Sequence, residues 1–568
     1  MHGLPRKETN GNTQKHYNPF RIKILYLCIF LCLLLLIIRL ADIQIINRDM
    51  LEHQADMRSL RTVTIATVRG TITDRDGNPL AVSVPTRDIV ADPVKIIKLS
   101  ENMNNPEWQE LSSLIDTSPE NLQRTITMHP DKKFLLIKRG IDFQTATAIT
   151  NLHLPGISEQ FAERRFYPQR ETAASLIGFV GSGNYGLTGL ENSYNKILQG
   201  VSGKKNVRLD SFGHPVSVSQ YTEPQQAPKV QLSIDSYDQF SAYNALKMGV
   251  LQNKADSGAA VLVRIDTGEI LAMVSYPSFN PNNLSDVTPS EMRNISVNDS
   301  FEPGSTVKPF VILAGLENNI IKPDSLLVTT PYRVNGHLIR DVGRWDKLSI
   351  TGILQKSSDI GVSHIALAMP AAVLVRMYNS FGLGKATGLG LPGESIGYFP
   401  LHRRSWSDIE RATFSFGYGL RVTPLQIARA YATLGDQGIY KNLSITKVTP
   451  PVEGTRVADP GLTQTVLHMM ESDVLPGGTG VKAAVPGYCL ATKTGTAEKL
   501  GKEGKYNAGY INYMAGVAPA THPLVALVVL INNPTAGSHY GGAVAAPVFG
   551  NILKSVLPHL NAQPDCVK

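Results

Sequence analysis

The sequence predicts an α+β protein: a large C-terminal domain of strands and helices, carried on an elongated N-terminal pedestal with one transmembrane helix. Three observations carry that expectation. An apolar run near the N-terminus has the composition of a membrane span. A polar, proline-bearing linker, Pro224-Gln225-Gln226-Ala227-Pro228, separates the pedestal from the larger domain. Beyond the linker the pattern reads strand hairpin, helices, three strands and a final helix, which is an α+β order. At 568 residues the chain needs more than one core. Its 42% hydrophobic and 18% charged residues fit a folded globular protein. The net charge of +8 is spread along the chain, with no basic helix interleaved with aromatics, so no nucleic-acid partner is expected.

The expected divisions are 1–23 for a cytoplasmic tail, 24–41 for the anchor, 42–228 for the pedestal and 229–568 for the larger domain. Residues 24–38 form an unbroken apolar run of 15. Arg39 near its end can snorkel to the headgroups while Leu40 and Ala41 extend the span. Arg6, Lys7, Lys15, Arg21 and Lys23 precede it against a single Glu8, which puts the N-terminus in the cytoplasm and the remainder outside. No small-x-small cleavage site comes after it, so the anchor reads as uncleaved. Residues 42–61 read as a juxtamembrane helix leading into a strand at 62–65. Asp76-Gly77-Asn78 is a tight-turn signal between extended stretches. Residues 230–235 open the larger domain as a strand, with a helix after it over 237–251. Strands at 259–263 and 270–274 flank the turn Asp266-Thr267-Gly268-Glu269 as a hairpin. Strands at 488–496, 510–517 and 525–531 precede a helix over 544–557. Of the four cysteines, Cys28 and Cys32 fall in the membrane run; Cys489 and Cys566 pair only if the fold brings them together. There is no metal-ligand spacing and no phosphate loop, so neither metal nor cofactor is expected.

The chemistry is concentrated at Glu302-Pro303-Gly304-Ser305-Thr306-Val307-Lys308-Pro309-Phe310. Pro309 is tolerated only in a first helical turn, so a helix begins near Ser305 and its buried body is residues 310–316. Ser305 and Lys308 are then neighbours on one face. A serine hydroxyl is a poor nucleophile until a base takes its proton, and a neutral lysine one turn away can be that base. Ser-x-x-Lys occurs four times, at Ser193, Ser202, Ser305 and Ser444, so the pair alone decides nothing. Ser305 stands apart by its company. Lys356-Ser357-Ser358-Asp359 comes next, with Ser357 52 residues on; Thr492-Lys493-Thr494-Gly495-Thr496 comes after it, with Lys493 136 further on.

This ordered trio resembles the signature of penicillin-binding proteins and serine β-lactamases. The stretch 69–81 resembles the opening of the class B non-catalytic domain; Glu163-Arg164-Arg165-Phe166-Tyr167-Pro168 and Gly186-Leu187-Thr188-Gly189-Leu190-Glu191 resemble two further class B segments. Residues 301–309, 354–358 and 407–419 look most like the division-specific FtsI type of Gram-negative bacteria. The resemblance implies an antiparallel sheet flanked by helices and a membrane-anchored D,D-transpeptidase of septal peptidoglycan in the inner membrane. Its substrates would be stem peptides ending in D-Ala-D-Ala. β-Lactams would acylate the same serine, and a membrane glycosyltransferase and other division proteins would be its partners. It implies Ser305 as nucleophile, Lys308 as base and Ser357 as proton relay. Lys493 supplies positive charge, and Thr494 binds the substrate carboxylate. Gly495 admits the substrate backbone, and the N–H groups of Ser305 and Thr496 form the oxyanion hole.

One position departs from the division-type pattern: the third residue of the middle motif is Asp359 where Asn is usual. An ionised Asp accepts hydrogen bonds but donates none, and its charge favours the ammonium form of Lys308. The expectation is that acylation is better preserved in mild acid than in an Asn-bearing relative. That would suit an accessory copy of the division enzyme used in an acidic niche. Two other readings stand beside the leading one. A D,D-carboxypeptidase or β-lactamase would use water as acceptor; those are usually shorter and lack the 69–81 stretch. A weakly catalytic division scaffold or β-lactam sensor is opposed by the intact Ser305, Lys308, Ser357 and Lys493.

Overall fold

The computed structural model describes residues 19–65, 67–99, 102–210, 215–501 and 506–566, so most of the expected cytoplasmic tail lies outside the described residues. Contacts divide the chain into two compact units, residues 1–67 with 201–225 and residues 68–200 with 226–568.

In the first unit, helix Pro19–Ala41 has no buried side chain and continues through a π-helical turn, Asp42–Ile46. Together they make a 28-residue span, the one continuous helix among the described residues long and apolar enough to cross a membrane. At 1.5 Å per residue it is about 42 Å long, more than the hydrocarbon core requires. Arg39 pairs with Asp42 one turn on. Helix Arg48–Ser59 comes next, then strand Leu60–Ile65, which pairs antiparallel with Gly203–Leu209; that strand pairs in turn with Pro215–Thr222.

The second unit contains a five-stranded antiparallel sheet of β1 (Ser257–Arg264), β2 (Ile270–Tyr276), β3 (Ala491–Leu500), β4 (Tyr506–Ala518) and β5 (Val525–Asn532), in the spatial order β2-β1-β5-β4-β3. β1 and β5 read as continuous apolar runs because both faces are covered. Val261, Val263, Val528 and Leu530 join one core cluster with Phe310 and Tyr431. Their alternate neighbours Ala260, Leu262, Leu527 and Val529 join a second with Phe549, Leu553 and Val556. That split reflects the two-residue period of a strand. Helices α1 (Ser236–Gln252) and α5 (Gly541–His559) cover the second face.

The strand expected over 230–235 is shorter. The strand proper is Val230–Gln231, in parallel with Ile72–Thr73, which also pairs antiparallel with Pro79–Ala91 across the Asp76-Gly77-Asn78 turn; Leu232 adds a single antiparallel bridge to Thr446. Extension ends there because Asp235 caps α1, accepting from the N–H groups of Tyr237 and Asp238. In the 68–200 part, the buried guanidiniums of Arg69 and Arg165 both pair with the buried Glu191 carboxylate, at 2.6 and 2.7 Å. These residues come from the three class B-like segments, so that resemblance has a physical centre. Cys489 and Cys566, which spacing left open, are joined by a disulfide.

Candidate active site

Ser305 lies in a 3-10 turn, Gly304–Val307, that runs directly into α2 (Lys308–Glu317). Gly304 is left-handed, and a Cβ there would come within 3.1 Å of the Thr496 carbonyl oxygen, so a glycine is what lets the turn approach β3. Pro309 occupies the first turn of α2, where its missing N–H costs nothing. Every residue from Lys308 to Leu316 is buried, while Ser305 keeps partial access to solvent. Phe310 packs on Phe381 and Tyr431, with ring centroids 5.0 and 5.7 Å away, and the Tyr431 hydroxyl donates to the Thr306 carbonyl at 2.7 Å. The nucleophile candidate is therefore a partly exposed residue on a buried, well-packed support.

Lys308 is 0% exposed. Its Nζ donates to the Ser357 carbonyl (2.6 Å), to Ser357 Oγ (3.2 Å) and to Asp359 Oδ1 (2.6 Å). Three acceptors thus converge on the one amine. Ser357 reaches this position by adopting a left-handed conformation (φ 56°, ψ 45°) at the end of α3 (Ile350–Lys356). Such strain at a non-glycine residue costs about 1–3 kcal/mol. Ser358 then caps α4 (Asp359–Leu367) by accepting from the Gly361 N–H. The reversal between two helices thus aims a carbonyl, a hydroxyl and a carboxylate at one amine.

Asp341 holds that reversal. It accepts from Ser358 Oγ at 2.6 Å and from the Ile360 N–H at 3.0 Å, and burial pushes its carboxyl above the usual range. Nothing in the sequence pattern singles it out, because its partners lie on a distant helix start. Asp341→Ala leaves both donors without this acceptor, a loss of about 1–3 kcal/mol. The expected result is a melting temperature lower by several degrees and slower penicillin acylation, read by thermal shift and stopped-flow labelling.

On the other side, β3 is an edge strand of the sheet, so its outer row of backbone groups can pair with an extended peptide, although the Glu498 N–H already donates to the Tyr418 hydroxyl at 3.3 Å. Gly495 is required by contact: a Cβ there would lie 2.8 Å from Thr306 Cγ2 and 3.2 Å from the Pro303 carbonyl. Thr496 Oγ1 accepts from the Gly541 N–H at 2.9 Å, tying β3 to the start of α5. Lys493 is fully buried, its Nζ donating to Thr494 O (3.1 Å) and Thr494 Oγ1 (3.3 Å). Thr479 hydrogen-bonds both the Thr494 hydroxyl and Asp473, and Thr492 also donates to Asp473. Burial lowers Lys493 to about 8, with Asp473 opposing the shift and the Lys308 charge adding to it. Burial also raises Asp473. Lys493 therefore carries its charge below pH 8 and loses it above. If that charge attracts the carboxylate of substrate or drug, the second-order acylation constant falls as pH rises through about 8. Asp473→Asn removes the opposing charge, so the falling limb moves to lower pH; a pH-rate profile of both forms reads this.

The wall beyond Ser305 is built by Glu302, whose carboxylate accepts from the Gly419 N–H (3.0 Å) and the Tyr506 hydroxyl (3.1 Å). Burial raises Glu302. Tyr418 and Tyr506 meet edge to face, 5.2 Å between centroids. The Phe416-Gly417-Tyr418-Gly419 segment was legible as a family signature; Tyr506 was not. The structure brings the 305, 357 and 493 motifs to one place. It gives the other Ser-x-x-Lys serines different settings. Ser193 Oγ donates to the Gly390 carbonyl and Ser444 Oγ to the Thr446 carbonyl, while Lys447 donates to the Arg75 carbonyl. Ser202 directly precedes the strand Gly203–Leu209 of the first unit.

The model of the penicillin-binding protein transpeptidase domain matches residues 258–554, and that of the penicillin-binding protein dimerisation domain matches residues 64–232. The peptidoglycan D,D-transpeptidase FtsI of Escherichia coli (strain K12) is 50% identical over 569 aligned residues, covering 100% of this chain and 97% of that one. A crystal structure of a peptidoglycan synthetase from Bifidobacterium adolescentis has the same fold, with a TM-score of 0.70 at 24% identity over 90% of this chain and 98% of that one. The apo transpeptidase domain of Burkholderia pseudomallei penicillin-binding protein 3 aligns with a TM-score of 0.54 at 37% identity, covering 59% of this chain and 98% of that one.

Proposed function

The chain belongs to the class B penicillin-binding proteins, the FtsI-type peptidoglycan D,D-transpeptidases, and on that premise we propose that it cross-links the stem peptides of septal cell wall through an acyl-enzyme on Ser305. The observation that carries this reading is the fully buried Lys308 amine bonded to Ser357, one turn from an accessible Ser305. Ser305 Oγ attacks the carbonyl joining the two terminal D-alanines while Lys308 takes its proton. The oxyanion sits between the N–H groups of Ser305 and Thr496. Ser357 passes a proton to the departing nitrogen, D-alanine leaves, and the acyl group stays on Ser305. An amine of a neighbouring stem then attacks the ester, forms the new amide and returns the proton to the serine. A positioned base contributes about 10²–10⁴-fold. Lys493 and Thr494 hold the terminal carboxylate, and Gly495 on the edge strand lets the peptide backbone lie close. A β-lactam meets the same groups, but its opened ring keeps the leaving nitrogen attached, so the ester persists.

The apolar span with its basic flank supports a single-pass inner-membrane topology, N-terminus in the cytoplasm and catalytic domain in the periplasm. A membrane glycosyltransferase and other division proteins would supply the glycan strands and the location. The Lys308–Asp359 ion pair favours a more particular role, that of an accessory copy adapted to acid. The test of the main reading supplies the detergent-solubilised full chain with a pentapeptide donor and an amine-bearing stem-peptide acceptor. One D-alanine should be released per cross-link formed, and penicillin should stop both. Release of D-alanine with no cross-link would assign a carboxypeptidase instead.

A further inference from the structure

The start of α1 and the end of α5 meet in a polar cleft built from residues outside the proposed catalytic set. Asp235 uses one carboxylate oxygen to cap α1, accepting from the N–H groups of Tyr237 (2.9 Å) and Asp238 (3.2 Å). Its other oxygen faces His559 Nε2 at 3.1 Å. Asp238, at the third residue of α1, is 0% exposed, and neither of its carboxylate oxygens has a hydrogen-bond partner. Ligand atoms of Asp235, Asp238 and His559 all lie within 4.8 Å of one another. The Tyr237 ring lies against the imidazole, 4.4 Å between centroids, and fixes its plane. Arg75 is the nearby cation; its Nη2 reaches Glu269 at 3.4 Å and its Nη1 is itself without a partner.

A buried carboxylate with no donor on either oxygen is costly, and native proteins seldom leave one. Two carboxylates and an imidazole converging from two helices are a donor set for a divalent metal. We propose that Asp235, Asp238 and His559 bind a divalent cation of the zinc type. Zinc bonds of about 2.0–2.1 Å in tetrahedral geometry set neighbouring donor atoms about 3.3 Å apart. The 3.1 Å between Asp235 Oδ2 and His559 Nε2 fits that spacing as well as it fits a hydrogen bond. The partly exposed His559 side chain gives the ion a way in. The ion would pin the first helix of the sheet's outer face to the last. Ser236, between the two aspartates, donates to Asp74 at 2.6 Å, so the same corner also meets the turn that carries Asp76-Gly77-Asn78.

The experiment strips the tag-free full chain in detergent with a chelator and titrates it with zinc chloride by calorimetry. Absorbance with cobalt chloride is recorded in parallel. Wild type should bind one equivalent of zinc, give visible cobalt bands and melt at a higher temperature with metal present. His559→Gln and Asp238→Asn should each bind zinc at least about tenfold more weakly, while both still label with fluorescent penicillin. His559 is partly exposed, so its variant keeps the test sound even if Asp238→Asn does not fold. Absence of zinc binding by wild type, as expected if a shared proton alone relieves the cleft, overturns the proposal. So does a His559→Gln variant that binds as wild type does.

Discussion

Ser305→Ala abolishes covalent penicillin labelling and leaves the fold in place: this is the largest effect expected of any single substitution. Loss should be complete because the ester has no other oxygen to form on. The fold should survive because the bonds that hold the turn do not involve the Ser305 hydroxyl. Thr306 Oγ1 donates to the Pro303 carbonyl at 2.8 Å, and Tyr431 holds the Thr306 carbonyl. Substitutions at Ser193, Ser202 and Ser444 should leave labelling unchanged. Gel fluorescence reads the label and circular dichroism the fold. Label trapped covalently by a folded Ser305→Ala protein would remove Ser305 from its role.

Asp359→Asn should accelerate acylation at neutral pH, on the order of tenfold. The carboxylate sits 2.6 Å from Lys308 Nζ, and its side chain is 36% exposed. Full Coulomb attraction at that distance would exceed about 4 kcal/mol, but solvent on the Asp side discounts it heavily, to about 1.4 kcal/mol, or tenfold. That attraction must be overcome before Lys308 can accept a proton from Ser305. Asparagine keeps an oxygen for the amine and adds a donor for a substrate carbonyl. Equal acylation rates of wild type and Asp359→Asn at neutral pH would make Asp359 a neutral replacement for Asn.

The catalytic half was legible because its signals are local. The buried runs at 259–263 and 525–531 announce central strands, and Pro309 fixes where α2 starts. The three motifs announce themselves by order. What escaped is held by contacts between distant segments. Asp341 matters only because Ser358 starts a helix beside it. Asp473 and Thr479 matter because they lie beneath Lys493 and Thr494. The cleft of Asp235, Asp238 and His559 joins residues 324 positions apart, so no metal-ligand spacing could reveal it. Val230–Gln231 also resisted reading: an apolar alternation predicts a strand but not which sheet it enters, and here it enters the one that contains Ile72–Thr73.

The proposed function comes down to one covalent bond, the ester on Ser305. The most direct measurement is peptide mapping by mass spectrometry of the full chain after reaction with benzylpenicillin. The expected result is a single penicilloyl adduct, on the peptide that contains Ser305, at a stoichiometry approaching one per folded chain. An adduct on any other serine, or a folded chain that carries none, would contradict it.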